Sequence, residues 1–464
     1  MALFGSKTKL PDTPAAPAPK PEVVQLAPVS TIRAEDRERL DAVRNRTADT
    51  LFRAADTFGP ADPAALSSDA FRAEVNNAIR QTLQADPQAG FLKAADREWL
   101  INDLTAEMCG FGPLEPLLAR DDISEIMVNG TGAIHLEIAG SMVQSDIRFR
   151  SEDALQRIAK RMVDETGRRV DTSSPICDAR LKDGSRINVT LPPIAVDGTI
   201  LTIRKFRKER LTLEQLVAAG SLSPEAMDVI AVIGRCRLNI LISGGTGSGK
   251  TTLLNCVSSC IDERERIVTC EDTAELQLQL PHVVRMETRA ENAEGTGEIT
   301  MRQLVRNALR MRPRRIIVGE VRGEEAVDLI NAMNTGHSGS MGTVHANDPR
   351  LALSRMEALI RTAKGYEAVP SLNIKRDLAD SLDVIIQTEQ LITGKRVVTH
   401  VTDVLRVEGE TITTEDLIVY DHARGRHVGK GQLRPSFYRV AERYGLAERL
   451  AAALSALNMN AREP

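Results

Sequence analysis

Two hydrophobic periods alternate along this chain, and each change of period marks a change of element. Between residues 31 and 110 apolar positions recur at helical spacing. The clearest stretch is 68–85, where Phe71, Val75, Ile79 and Leu83 form one stripe. A later stripe carries Trp99, Leu100, Leu104 and Met108 and stops at Gly110. From 111 to 206 strand-like runs at 125–128 and 134–138 flank the turn signal Asn129-Gly130. A helix follows Ser151, with Leu155, Ile158, Ala159, Met162 and Val163 on one face. Lys182-Asp183-Gly184 then marks a hairpin leading to 200–206, an order that predicts a mixed α+β domain. Beyond 207, short apolar runs at 238–243, 266–269, 315–319, 340–345 and 383–387 alternate with helical patterns, which predicts a parallel sheet. The fold class is α/β, divided into a Pro/Ala-rich aperiodic and disordered tail (1–30), a helical bundle or extension (31–110), an α+β N-terminal domain (111–206), a C-terminal α/β domain (207–447) and a C-terminal tail (448–464).

Composition narrows the class. The 464 residues, 42% hydrophobic and 27% charged, describe an ordinary soluble protein of more than one domain. A net charge of −4 gives no global argument for nucleic acid. Six cysteines without a CxxC pair point to a reduced, intracellular chain and to no metal site of their own. No apolar run approaches the ~18 residues that span a bilayer, so membrane association is expected only through partners.

The chemistry begins at Gly244-Gly245-Thr246-Gly247-Ser248-Gly249-Lys250-Thr251, followed by Thr252, between an apolar strand and a helix. This fits G-x-x-x-x-G-K-[ST] in full. The glycines let consecutive N–H groups face phosphate oxygens, and the helix N-terminus adds its positive dipole end. Lys250 is placed for the β- and γ-phosphates and Thr251 for Mg²⁺. ATP with Mg²⁺ is the implied substrate, and no other metal is called for. Two acidic strand ends follow. Cys270-Glu271-Asp272-Thr273-Ala274-Glu275 can hold Mg²⁺ or its waters, with a solvated strand end as the alternative. Arg315-Ile316-Ile317-Val318-Gly319-Glu320 resembles a Walker B strand with Gly319 where Asp is usual, leaving Glu320 to orient or deprotonate water. The segment 335–347 carries His337 and His345 without zinc-spaced partners, so His345 reads as a hydrogen-bonding group near the γ-phosphate or Glu320.

The phosphate loop, the EDTAEL acidic box, the GEVRG strand and the TGHSGSMGTVHAN histidine box occur in the order seen in the secretion ATPases of type II secretion, type IV pili and type IV secretion. The segments CGFGPLEPLL, DARLKDGSRINVTLPP, TIRKF and VEGETITTEDL resemble the CpaF/TadA branch that drives Flp (Tad) pili, over about residues 95–445. The resemblance implies a homo-hexamer whose subunits each have an N-terminal domain and a C-terminal RecA-like ATPase domain, with nucleotide between the two. It implies a protein that is cytoplasmic and peripheral at the inner membrane, acting on polytopic inner-membrane pilus platform proteins. Residues 1–90 remain for any further cytoplasmic pilus protein. Carried over by position, Glu320, Glu275 and His345 are catalytic, and Glu275 assists Mg²⁺ directly or through water. Arg285 and Arg289 stand where the family places arginines toward nucleotide, an effect of about 10³–10⁵ in rate in NTPases. Arg180, Arg186 and Arg204 occupy the strands that supply arginines from the N-terminal domain, with ordinary surface arginine as the alternative. Arg302, Arg306 and Arg310 form a helical stripe that is either a solvated face or a surface toward another subunit or DNA. Aromatics are only 3% of the chain and none interleaves with that stripe, which argues against a single-strand platform. A nucleotide switch without hydrolysis has less need of a positioned acid such as Glu320, which argues against that reading.

Overall fold

The structure, a computed structural model, describes residues 23–24, 34–58, 68–138, 140–206, 211–289, 291 and 296–462. Apart from Val23 and Val24, the expected tail 1–30 lies outside the described residues. The chain divides into two compact units, 1–206 and 207–464.

In the first unit, strands β1 (Val23–Val24), β2 (Ile123–Asn129), β3 (Ile134–Ile138), β4 (Ser141–Ser145), β5 (Ile176–Arg180), β6 (Arg186–Thr190) and β7 (Ile200–Arg204) form one sheet ordered β1-β4-β3-β2-β7-β6-β5. All neighbours are antiparallel except β1 on β4. The helix Glu152–Asp164 starts where the Ser151 hydroxyl accepts the Ala154 N–H at 3.2 Å. Its Leu155, Ile158 and Met162 pack with Ile126, Leu136, Val189 and Ile203, which alternate along their strands and so share one sheet face. Helices Ala34–Phe58, Asp69–Ala85 and Ala94–Cys109 hold a separate core of Val75, Ile79, Leu100 and Leu104. An ion cluster around buried Glu107 ties this bundle to the sheet domain: Arg150 donates to Glu107 at 2.9 Å and to the exposed Asp49 at 3.3 Å.

The second unit is built on β8 (Ile240–Gly244), β9 (Ile267–Glu271), β10 (Val283–Glu287), β11 (Arg315–Val318), β12 (Met341–Val344), β13 (Val384–Gln390), β14 (Arg396–Glu408), β15 (Thr411–Asp421) and β16 (Arg426–Gly429), ordered β10-β9-β11-β12-β8-β13-β14-β15-β16. The strands from β10 to β13 are parallel, and β14 to β16 extend the sheet as an antiparallel meander. Ile240 and Ile242 enter one core cluster and Leu241 the other, and Ile317 is separated in the same way from Ile316 and Val318. The parallel strands inside the edge strand β10 are therefore buried on both faces, which is why they read as continuous apolar runs. Residues expected to form a tail from 448 instead lie in the helix Ala447–Arg462, whose Leu450, Ala453, Leu454 and Leu457 belong to the core. Leucines and alanines at helical spacing have apolar surface to bury, and the sheet provides the place.

Candidate nucleotide site

β8 runs directly into the glycine-rich loop. A Cβ on Gly244 would stand 2.5 Å from both Ser248 Oγ and Thr388 Oγ1, so only glycine fits there. Gly247 (φ +71°) and Gly249 (φ +95°) take the left-handed conformation that turns the loop into the helix Lys250–Ser258. Lys250 is buried; its Nζ donates to the Gly244 carbonyl at 3.0 Å and the Gly245 carbonyl at 2.8 Å. Thr251 and Thr252, half-buried, form the first turn of that helix. Thr246 lies exposed in the loop and Ser248 is held between the Gly245 carbonyl and Thr388, each at 2.9 Å.

A polar line runs sideways from this loop across adjacent strand ends. Lys250 Nζ is 3.4 Å from His345 Nδ1, just past β12. His345 Nε2 is 3.1 Å from Glu320 Oε1, just past β11. The other Glu320 oxygen accepts from Arg322 at 2.7 Å, and Arg322 lies 3.5 Å from Asp272 beyond β9. The order β9-β11-β12-β8 thus converts four separate motifs into one chain of contacts. Burial pushes the Glu320 carboxyl up, but the Arg322 hydrogen bond and the charges of Arg322, His345 and Lys250 outweigh it and leave it below its usual range. Burial and then Lys250 push His345 down against the opposing pull of Glu320, so its imidazole is neutral at neutral pH.

Two residues gain a role that spacing alone did not assign. Arg322 bridges Glu320 and the acidic box. Glu271, 2% exposed, accepts the N–H groups of Glu275 and Leu276, both at 2.7 Å, and so holds the acidic box in its turn. Burial raises its pKa despite those bonds. Gly319 also finds its reason here, since a Cβ at 319 would be 2.9 Å from Glu271 Cγ. An Asp in that place would collide with the group that shapes the acidic box. The side chain of Glu275 is half-buried, and its charge, after those of Glu320 and Asp272, helps to raise the Arg322 pKa.

The expected arginines divide. Arg285, on the edge strand β10, donates to the Ala274 carbonyl at 2.9 Å, while Arg289 donates to the Gly297 carbonyl at 2.6 Å. β10 is four strands from β8, about 19 Å at the ordinary strand spacing of ~4.8 Å, so neither is brought to the phosphate loop of its own chain. Arg302 and Arg306 both donate to Asp328 at 2.9 Å, so these two members of the stripe are paired within the unit. In the first unit Arg180 faces Arg186, Arg186 faces Arg204 and Arg204 faces Glu125, giving one transverse row on the sheet face away from the core. Among the described residues no group of three or more His, Cys, Asp or Glu is placed to hold a metal ion. The oxygen donors expected for Mg²⁺, Thr251 and Glu275, are both half-buried, and Mg²⁺ takes few protein ligands and fills its shell with phosphate and water.

The family model for Type II/IV secretion system proteins matches residues 107–419, through the phosphate loop and every strand of the polar line. The chain belongs to that family. It is similar to a putative conjugal transfer protein of Mycobacterium tuberculosis, 40% identical over 334 residues covering 70% of this chain and 94% of the relative. The type IV secretion system protein VirB11 of Bartonella quintana is 30% identical over 353 residues, covering 69% of this chain and 94% of the relative. Among solved structures, the VirB11 ATPase of the Brucella suis type IV secretion system is 27% identical with a TM-score of 0.34, covering 62% of this chain and 91% of that one. The Legionella pneumophila ATPase DotB is 21% identical with a TM-score of 0.45, covering 75% and 86%. The protein is an ATPase of the type II/IV secretion superfamily. Among the described residues no helix is long and apolar enough to cross a membrane.

Proposed function

We propose that this ATPase powers assembly of a Flp (Tad) pilus as a Mg²⁺-dependent homo-hexamer at the cytoplasmic face of the inner membrane, acting on polytopic platform proteins. The observation that carries the catalytic part is the contact line Lys250–His345–Glu320 beside the phosphate loop. Lys250 offsets charge at the β- and γ-phosphates, and the loop N–H groups from Gly244 to Thr251 cradle them. Glu320 orients the attacking water and receives its proton. Neutral His345 holds Glu320 and reports its position to Lys250. Thr251, with Glu275 through water, would hold Mg²⁺, which when bound would offset phosphate charge. The arginines of the first-unit row serve the nucleotide's anionic charge, and Arg285 and Arg289 serve a neighbouring subunit's nucleotide. The pilus assignment rests on the TIRKF and VEGETITTEDL segments.

A deletion strain complemented with Lys250→Ala and with Glu320→Gln tests this reading. Lys250→Ala is expected to lose tight ATP binding, Glu320→Gln to bind ATP without turning it over, and both to leave cells without pili. Light scattering with a non-hydrolysed ATP analogue should give about six subunits. The similarity to a putative conjugal transfer protein and to VirB11 supports a second reading, a type IV secretion motor. Pili intact in the deletion strain, with substrate secretion lost, would select it.

A further inference from the structure

The phosphate loop has a second cation that none of its motifs accounts for. β13 and β14 form a hairpin beside β8, with Gln390 directly opposite Arg396 as the last pair before its turn and Ile392 fully exposed in that turn. Arg396 Nε donates to the Gly247 carbonyl at 2.7 Å. Its Cδ stands 3.5 Å from where a Cβ on Gly249 would be, and Gln390 Oε1 stands 3.3 Å from where one on Gly247 would be. Thr388, two residues before Gln390, bonds Ser248 at 2.9 Å. The turn end of the hairpin therefore braces the flank of the loop opposite the Glu320 line.

We propose that Arg396 is a positioning residue for nucleotide binding, acting through the Gly247–Ser248 peptide. The C=O and N–H of a trans peptide point in opposite directions, so fixing the Gly247 oxygen on Arg396 fixes the Ser248 N–H toward the loop interior. There it lies 3.4 Å from the Gly245 carbonyl. Gly247, at φ +71°, has the freedom to let this peptide flip, and a flip turns a carbonyl dipole toward the phosphates. A guanidinium donor is an ionised one, and its bond to the carbonyl is of the stronger kind. The inference rests on the ATPase reading of the same loop. It assigns Arg396 to binding and leaves the chemical step to Glu320.

The test is titration of full-length protein with fluorescent ATP and ADP analogues, with turnover measured at saturation. Arg396→Ala should raise the dissociation constants of both nucleotides about tenfold, the scale of one hydrogen bond to a charged group. Turnover at saturating ATP should stay within about twofold of wild type, with the nucleotide-free melting temperature unchanged. Arg396→Lys should fall between, since a flexible ammonium reaches the carbonyl without the planar geometry. Ile392→Ser, at the hairpin tip, should match wild type. Unchanged affinity in Arg396→Ala, or lost turnover at unchanged affinity, overturns the proposal. Should Arg396→Ala melt early, a folded Arg396→Lys with wild-type affinity overturns it equally. Absence of nucleotide binding in the wild type instead removes the ATPase reading itself, and the inference with it.

Discussion

The two sheets place their polar chemistry in opposite ways. In the second unit the inner parallel strands are buried on both faces, so the groups of the polar line come from where strands end: Glu271, Glu320 and His345 all sit at or just past a strand terminus. In the first unit one face is core and the other is open, so charge runs across the strands, through Arg180, Arg186, Arg204 and Glu125. Strand-end chemistry is a consequence of sequence order, because each motif directly follows its own apolar run. Transverse chemistry is a consequence of register. The difference separates what a chain shows locally from what only pairing creates.

The largest expected effect tests the strand-end rule. Glu320→Gln keeps shape and the His345 contact but loses the base, and ATP turnover should fall about 10²–10⁴-fold, with nucleotide affinity retained. Near-wild-type turnover would transfer the role to Glu275. The acid limb of the wild-type pH profile sharpens the same point. Glu320 and His345 are both shifted down, so turnover should persist below the ordinary histidine range and fall only as those two groups protonate. A limb at or above about pH 6.5 would point to a different titrating group.

Glu271→Ala should come next. It leaves the Glu275 and Leu276 N–H groups without their acceptor and opens a void beside Gly319. A loss of roughly 2–4 kcal/mol in the second unit's calorimetric transition is expected, with turnover reduced further through the loosened acidic box. Wild-type stability would mean that the box holds itself.

Asp403 shows what the doubly covered sheet does to a carboxylate within a strand. It lies on β14, fully buried, accepting from the Ser436 N–H at 2.7 Å and hydroxyl at 2.6 Å, and burial pushes it up to about 6. Its folded pKa is above the unfolded value near 3.9, so the folded state binds the proton more tightly. Stability therefore falls as pH rises from about 4 to about 6 and is level above. The size is on the order of 2–3 kcal/mol. Asp403→Asn removes that dependence, so the variant should gain on wild type by that amount between pH 4 and pH 7.5. A constant difference between the two proteins across that range would show that Asp403 does not titrate in the fold.

Legibility followed the same division. The inner parallel strands, the helix after Ser151 and the phosphate loop were readable because apolar runs, a capping serine and glycines are local signals, whereas the edge strand β10, with Arg285 and Glu287 exposed, carried no such run. The meander β14–β16 was not, since 396–429 mixes Thr, His, Asp and Arg with its valines, and the sheet pays for those polar groups with partners far along the chain, as with Asp403 and Ser436. Glu271 hid behind Glu275 because both belong to one acidic box, and only the buried position of the first tells them apart. Arg285 and Arg289 lie next to the box in sequence but on an edge strand in space. The Arg322–Asp272 and Arg396–Gly247 contacts join residues whose proximity depends on strand order alone.

The smallest effect tests the open face, and it combines opposite signs. Arg186 stands between Arg180 and Arg204 in cross-strand register, and Glu125 lies 3.8 Å from Arg204 at the end of the row. Like charges directly opposite across antiparallel strands destabilise by roughly 0.2–1 kcal/mol per pair. A fold selected only for stability has no reason to line up three guanidinium groups, whereas a surface that meets phosphate does. Arg186→Gln should therefore raise the stability of the first unit slightly, by up to about 1 kcal/mol, while lowering ATP turnover of the full chain. Denaturant unfolding followed at Trp99, which lies in the first unit, reads the first quantity, and a steady-state assay reads the second. A gain in stability with unchanged turnover would make the row a tolerated accident of register. A loss of stability would mean that Arg186 is held by partners strong enough to outweigh its two neighbours. Only the opposed pair of changes, more stable and less active, assigns the open face to the nucleotide.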